Sequence, residues 1–332
     1  SGGGHPHGDP LRQARGRGDL DGPNFNLEVP PDGYAWWYVD GISDDGEKSI
    51  SIISFIGSVF SPWYRWSGRK NPEAHCCINV ATYGKGGRWT MTDRGQAALR
   101  QTPNTFEVGP SKLTWDGGKL YIDVDELAWP HMHRLKGRIT VTPSAITDVE
   151  LPLKADGSHV WRPFAPSSDI EVDLNQPGWQ WTGHAYFDSN FGIHALEDDF
   201  SYWTWGRFPT RDNGAYCFYD AAVRDGSELA VGLHFGADGT AQVIDAPPRT
   251  RFARSKWLVR RETRADPGYR PKQVADMLDA PFYCRSTVRT QVFGEETVGV
   301  HEALDLDRFA SPLIKPMLAV KVPRRKGWRF DD

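Results

Sequence analysis

The stretch Trp179-Gln180-Trp181-Thr182-Gly183-His184-Ala185-Tyr186-Phe187-Asp188 interleaves two chemistries at a period of two. In a β-strand successive side chains point to opposite faces. Odd positions then present Trp179, Trp181, Gly183, Ala185 and Phe187, an apolar face fit for a core, while even positions present Gln180, Thr182, His184, Tyr186 and Asp188. A carboxyl, a phenol and an imidazole share the second face, as a general acid with its hydrogen-bond partner and an aromatic wall would. Any half-solvated strand shows polar alternation too. The Trp-rich flanks argue against that plainer reading.

Outward from this segment, short runs of β-branched and aromatic residues recur between Gly, Asp, Asn and Pro turns, the pattern of an all-β sandwich or barrel. Candidate strands lie near 34–40, 48–57, 76–83, 87–92, 105–115, 119–127 and 134–142. A second series lies near 160–173, 179–188, 201–208, 214–223, 228–236, 241–245, 256–264 and 281–302. Asp116-Gly117-Gly118 and Asp238-Gly239 are hairpin signals. Short helical patterns are confined to Pro271–Leu278 and Leu304–Ala319. The Leu151–Gly157 stretch reads as a boundary. The expectation is an N-terminal β domain over 24–150, a C-terminal one over 151–303, and a C-terminal extension over 304–332. The Gly-, Arg- and Asp-rich residues 1–23 read as a disordered leader.

A chain of 332 residues is long enough for two ordinary cores. Its 39 Lys+Arg against 43 Asp+Glu leave a formal charge of −4, so no basic field favours nucleic acid. Aromatic content is the outlier, with 14 Trp, 11 Tyr and 16 Phe. Cys76, Cys77, Cys217 and Cys284 form no Cys-x-x-Cys pair and read as reduced thiols in a cytoplasmic-type compartment. No stretch of about 18 apolar residues suits a membrane span.

Three aromatic runs carry the remaining candidates. His159-Val160-Trp161 puts His159 and Trp161 on one strand face, one strand before the Trp179–Asp188 segment, and consecutive strands usually neighbour one another. His159, Trp161, His184, Tyr186 and Asp188 are therefore expected to line one cavity. Tyr202–Phe208 adds Trp203, Trp205 and Arg207 on one face, and Trp203, Trp205 and Trp181 join His184 as candidate substrate-binding residues. Asp220 is the second choice of acid, while Asp198-Asp199 reads as a turn face. His131-Met132-His133 and His75-Cys76-Cys77 do not supply the ligand set zinc needs, so no metal is expected. No phosphate-cradling Gly-x-Gly-x-x-Gly between strand and helix occurs, and no nucleotide cofactor is indicated.

These strings together resemble the carotenoid 1,2-hydratases of purple bacteria, also called hydroxyneurosporene synthases. The resemblance runs through Tyr34–Asp40, Ser54–Tyr64, Arg88–Arg94, His159–Pro163, Gly183–Asn190 and Trp203–Arg207, and covers nearly everything from about residue 24. It implies a pair of lipocalin-like β domains and cofactor-free addition of water to the terminal C1=C2 bond of an acyclic carotenoid such as neurosporene or lycopene. The product would be a 1-hydroxy-1,2-dihydro carotenoid. Carried over residue by residue, the family's functional positions fall on His159, Trp161, Tyr186 and Asp188.

Protonation of such an alkene needs a strong acid in a water-poor recess. Asp188 would have to stay neutral near pH 7, at a cost of about 4 kcal/mol that apolar burial can impose. Trp161 and Tyr186 would face the resulting cation, and His159 or His184 would orient the acid or take a proton from water. So apolar a substrate arrives from a bilayer, so the expected setting is cytoplasmic, peripheral to the photosynthetic membrane, with Phe60, Trp63, Tyr64 and Trp66 as contact candidates. Competing readings are a lipocalin-like carotenoid or lipid carrier, a related cofactor-free cyclase, and a glycoside hydrolase, which needs two facing carboxyl groups.

Overall fold

The computed structural model describes residues 20–128 and 131–324. Residues 1–19 of the expected leader lie outside them. Leu20 and Gly22 do not hang free, because their carbonyls accept hydrogen bonds from the Arg162 guanidinium at 2.5 and 2.6 Å.

The first sheet has twelve antiparallel strands: β1 (Tyr34–Ser43), β2 (Ser49–Ile56), β3 (Cys76–Tyr83), β4 (Trp89–Thr90), β5 (Leu99–Thr102), β6 (Thr105–Val108), β7 (Ser111–Trp115), β8 (Leu120–Ala128), β9 (His133–Pro143), β10 (Leu151–Pro152), β11 (His159–Gln176) and β12 (Trp179–Gly192). Their spatial order is β4-β3-β2-β1-β12-β11-β9-β8-β7-β6-β5, with β10 beside β11. Ile50 and Val80 from one end of that order and Phe106 and Leu113 from the other share one buried core. The sheet therefore curls on itself.

The second sheet follows the short helix α1 (Pro62–Trp66) and then α2 (Leu196–Asp199) along the chain. It comprises β13 (Phe200–Pro209), β14 (Ala215–Val223), β15 (Glu228–Phe235) and β16 (Ala241–Val243), then, after the separate pair β17 (Arg249–Phe252) and β18 (Arg261–Arg264), β19 (Lys272–Asp279), β20 (Tyr283–Val292) and β21 (Glu295–Asp305). Helices α3 (Leu306–Ala310) and α4 (Lys315–Lys321) complete the described chain. The all-β, lipocalin-like expectation matches this architecture.

The sheets do not divide where the sequence divides. β11 and β12, grouped above with the C-terminal half, lie in the middle of the first sheet, and the chain crosses to the second only after Gly192. The physical reason is the apolar face of β12. Trp179, Ala185 and Phe187 join the core enclosed by the curled sheet, and β1 gains its second neighbour from β12. The helix expected at Pro271–Leu278 is instead the edge strand β19, paired with β20 through two register shifts. Pairing at an open sheet edge overrides the helix-favouring Ala, Met and Leu of that segment. Both hairpin signals hold: Asp116 turns β7 into β8, its carboxylate accepting from the backbone N–H groups of Gly118 and Lys119 at 2.8 and 2.6 Å, and Gly117 takes the left-handed φ of +94°.

A second core fills the space between the sheets. Tyr34, Trp36, Tyr38 and Tyr186 from the first meet Trp203, Trp205, Tyr219 and Tyr283 from the second. One buried ion pair pins the interface, Arg207 Nε of β13 donating to Asp40 Oδ1 of β1 at 2.8 Å.

Candidate active site

Register places the site. On β12 Asp188 lies opposite Tyr38 of β1, with Asn190 opposite Trp36 and Tyr186 opposite Asp40. On the other side of β12, Trp161 of β11 is opposite Asn190. Alternation puts all of these on the face turned to the second sheet. There β13 supplies Trp203 and Trp205, opposite Leu304 and Glu302 of β21, and Glu302 is in turn opposite Arg285 of β20.

Asp188 is the centre. Its side chain is almost wholly buried, and Oδ2 accepts from Trp161 Nε1–H at 3.0 Å and from the Tyr186 hydroxyl. Trp161 Nε1–H also points to Tyr186 Oη at 3.0 Å. Among the described residues Oδ1 has no hydrogen-bond partner. Burial pushes the Asp188 carboxyl well above the usual carboxylate range, although both donors pull the other way, and the nearby Glu302 and Asp40 carboxyls add to the rise. Desolvation wins because, among the described residues, no cation bonds to this carboxyl. A neutral carboxyl with one oxygen held by two donors has its other oxygen available to carry the proton. That is the form of a general acid.

Aromatic rings surround this group. Tyr186 and Trp205 have centroids 4.9 Å apart, Trp161 and Tyr219 4.8 Å, and Tyr38 and Trp205 5.5 Å. Asp188, Asn190, Trp205, Tyr219 and Glu302 share a small pocket of about 20 Å³, room for one water. Ile53, Phe60, Tyr283 and Arg285 belong both to this pocket and to an apolar cavity of about 190 Å³. The larger cavity is walled by Leu278, Phe282, Ile314 and Leu318, with Trp257 and Met317 half exposed beside it. The two cavities adjoin through these shared walls, the larger apolar and the smaller acidic, and together they are the candidate recess.

Sequence reasoning therefore assembles Trp161, Tyr186 and Asp188 correctly on one face, with Trp203 and Trp205 opposite. Three other placements differ. His184 does not reach Asp188: four residues of strand separate them, roughly 13 Å, and its Nδ1 lies 2.6 Å from Arg207 Nη1. Burial and the Arg207 charge push His184 down to about 3, so it is a neutral acceptor. His159 sits at the other end, opposite Gly192. It bridges the Tyr34 hydroxyl and Asp199 Oδ2, each at 2.6 Å, and burial lowers its pKa despite Asp199. Gly192 leaves room for that bridge, since a Cβ there would stand 2.6 Å from the Tyr34 ring and 2.7 Å from His159 Nδ1. Trp181, on the odd face, packs against the first core and is turned away from the site.

The acidic alternatives also resolve. Asp220 points away from the recess, 2.5 Å from the Arg264 guanidinium, because its neighbour Tyr219 takes the inward position. Asp199 ends α2, and with His159 and His194 it groups three potential ligand atoms within 4.8 Å. Lys154 Nζ already neutralises that carboxylate at 3.0 Å, which fits an ion-pair network better than a metal centre. Of the proposed membrane-facing aromatics, Tyr64 is buried with its hydroxyl on the Gly33 carbonyl, Phe60 walls the recess, and Trp63 donates to the Val322 carbonyl. Only Trp66 is substantially exposed, at 47%. Tyr38, Arg285 and Glu302 were missed by sequence reasoning: Tyr38 reaches Asp188 through the long-range pairing of β1 with β12, and Arg285 and Glu302 through the pairing of β20 with β21 and the facing of the two sheets.

The family model described as "Carotenoid hydratase CrtC" matches residues 52–331. The chain is 66% identical over 280 residues to an acyclic carotenoid 1,2-hydratase of Cereibacter sphaeroides, covering 84% of this chain and all of the relative. It is 59% identical to one of Rhodobacter capsulatus, covering 85% of this chain and all of that one. Two solved structures share the fold at low identity. A putative AttH protein of Nitrosomonas europaea gives a TM-score of 0.57 at 15% identity, over 84% of this chain and 97% of its own. Kievitone hydratase of Nectria haematococca gives 0.52 at 12%, over 84% and 92%. With a buried acid at the end of an apolar recess and sequence likeness over most of its length, the chain belongs to the carotenoid hydratase family.

Proposed function

We propose that this protein adds water to the terminal C1=C2 bond of an acyclic carotenoid of the neurosporene and lycopene type, without a cofactor, through protonation by Asp188. The observation that carries the reading is the Asp188 carboxyl, pushed toward its neutral form by burial, gripped through Oδ2 by Trp161 and Tyr186, and set in a small pocket that adjoins an apolar cavity of about 190 Å³. Transfer of the Asp188 proton to C2 leaves a tertiary cation at C1 and a carboxylate at Asp188. The two donors strengthen as that carboxylate forms, because hydrogen bonds to an ionised acceptor are about twice as strong. The rings of Tyr186, Trp205 and Tyr38 face the cation, each worth about 1 to 2 kcal/mol when desolvated. Water then bonds to C1, and loss of one of its protons gives the tertiary alcohol.

His159 serves in this reading as a positioning residue. It joins Tyr34 of β1 to Asp199 of α2 and so ties the first sheet to the start of the second. The substrate's reservoir is a bilayer, and half-exposed Trp257 and Met317 beside the cavity, with exposed Leu313 and Val320 near α4, favour peripheral contact there. No helix of the described residues is long and apolar enough to cross a membrane.

Incubation of the purified protein with lycopene in liposomes made up in H₂¹⁸O tests the reading. Labelled 1-hydroxy product is expected from the wild type and none above background from Asp188→Asn. Absence of label with the wild type would overturn the proposal. Asp188→Asn binding lycopene while the wild type shows no turnover would support a carrier instead.

A further inference from the structure

Hydration needs a second proton transfer. Once water bonds to C1 the oxygen carries an extra proton, and Asp188, having just lost one, lies on the C2 side of the bond. Across the small pocket, on the opposite sheet, stands the second carboxyl, Glu302. It is held in place: Arg285 Nε lies 3.6 Å from Glu302 Oε2, while Arg285 Nη1 donates to Ser51 Oγ at 3.0 Å and Nη2 to the Tyr283 hydroxyl. The guanidinium is further fixed over the Tyr38 ring, 5.1 Å from its centroid. Two carboxyl groups thus face one pocket the size of a single water, one on each sheet, and among the described residues only Glu302 has a cation beside it.

We propose that Glu302 is the base that takes the proton from the water adding to C1, with Arg285 as its positioning residue. This deepens the hydration reading above and rests on it. The Asp188 O–H bond breaks as the C2–H bond forms. A water lone pair then makes the C1–O bond, and one water O–H bond breaks as its proton passes to Glu302. Glu302 ends protonated and Asp188 ionised, and return of that proton through water in the shared pocket resets both. No oxidant or further reactant is required. Burial raises Glu302 above its ordinary value while Arg285 opposes the rise, which makes it a stronger base than a solvated glutamate.

The test separates the two proton transfers. In D₂O the Asp188 step is reversible by itself, so the enzyme can place deuterium at C2 of recovered substrate without making alcohol. Glu302→Gln keeps an oxygen acceptor for Arg285. It is expected to lose alcohol formation by about 100-fold or more while retaining exchange at C2 within about threefold. Asp188→Asn is expected to lose both. Glu302→Asp, which keeps the charge and moves it back by one methylene, should recover about tenfold of the alcohol rate lost in Glu302→Gln and stay about tenfold below the wild type, and it carries the test if Glu302→Gln does not fold. In that case an alcohol rate in Glu302→Asp equal to the wild type's, or loss of exchange in step with alcohol, refutes the assignment. Glu302→Gln making alcohol within threefold of the wild type, or losing exchange and alcohol together, also overturns it. Failure of the wild type to form labelled alcohol would instead remove the hydration reading itself.

Discussion

Tyr186→Phe removes one of the two donors to Asp188 Oδ2 and, with it, the branch of the Trp161 Nε1–H bond that reaches Tyr186 Oη, leaving that N–H to Asp188 alone. The ring stays, and its packing against Trp205 at 4.9 Å with it, while Trp161 Nε1–H at 3.0 Å continues to hold the acid in place. In the resting enzyme Asp188 is neutral, so the lost bond costs about 1 kcal/mol. At the transition state the same oxygen carries most of a negative charge, and a bond to a charged group contributes about 1.5 to 3 kcal/mol. The difference, about 0.5 to 2 kcal/mol, falls on kcat, a decrease of roughly 2- to 30-fold, with KM for lycopene nearly unchanged. A second signature has a definite sign. Because the Tyr186 donor lowers the Asp188 pKa, its removal raises that pKa further, so the limb on which activity falls with rising pH moves to higher pH while the plateau drops. Initial rates of ¹⁸O-alcohol formation between pH 6 and 9.5 measure both. A plateau equal to the wild type's, a limb displaced to lower pH, or a rise in KM with kcat unchanged would refute the acid role and its support by Tyr186.

Other consequences are open to simpler measurements. Glu126, buried and bonded to Ser111 Oγ at 2.6 Å, is pushed up to about 7 by burial. The native state therefore holds a proton between pH 4.5 and 7 that the unfolded chain has lost, and stability from this group is present below about pH 4.5 and gone above pH 7. Glu126→Gln should gain on the wild type by about 3 kcal/mol between pH 4 and pH 8, read from urea midpoints; a constant difference would show that Glu126 titrates normally. Gly192→Ala should unseat the Tyr34–His159 bond, costing about 1 to 3 kcal/mol and several degrees of Tm. An unchanged Tm would mean the strand yields freely. Leu318→Trp should narrow the large cavity, lowering kcat/KM for lycopene about tenfold while leaving a ten-carbon isoprenoid unaffected. Equal loss for both would place the route in elsewhere.

How much of this was legible in the sequence depends on the range of each contact. Alternation along β12 separates core from site with no tertiary knowledge, which is why Tyr186 and Asp188 are readable as a pair. Trp161 follows because β11 and β12 are consecutive. His159 and His184 show the limit of that logic. They share the face of Asp188, but a shared face spans the whole strand, and rank along it decides contact. Glu302 and Arg285 lie more than ninety residues from Asp188, in strands whose pairing no local pattern announces. The sheet division was misplaced for a related reason: turn residues at Leu151–Gly157 mark a bend in the chain, while membership of a sheet is settled by which edge remains to be paired.

The Arg207–Asp40 ion pair has a bearing on how molecules come and go. It joins opposing sheets with both side chains at most 1% exposed, and separating such a pair strands two charges at about 3 to 5 kcal/mol. Prising the sandwich apart is thus a costly way to admit a pigment, whereas threading it lengthwise past α4 would leave that pair intact. A polyene that enters end first can present only its tip to the acid, so regiochemistry becomes a matter of penetration depth: the bond that is hydrated is the one the chain can push furthest in.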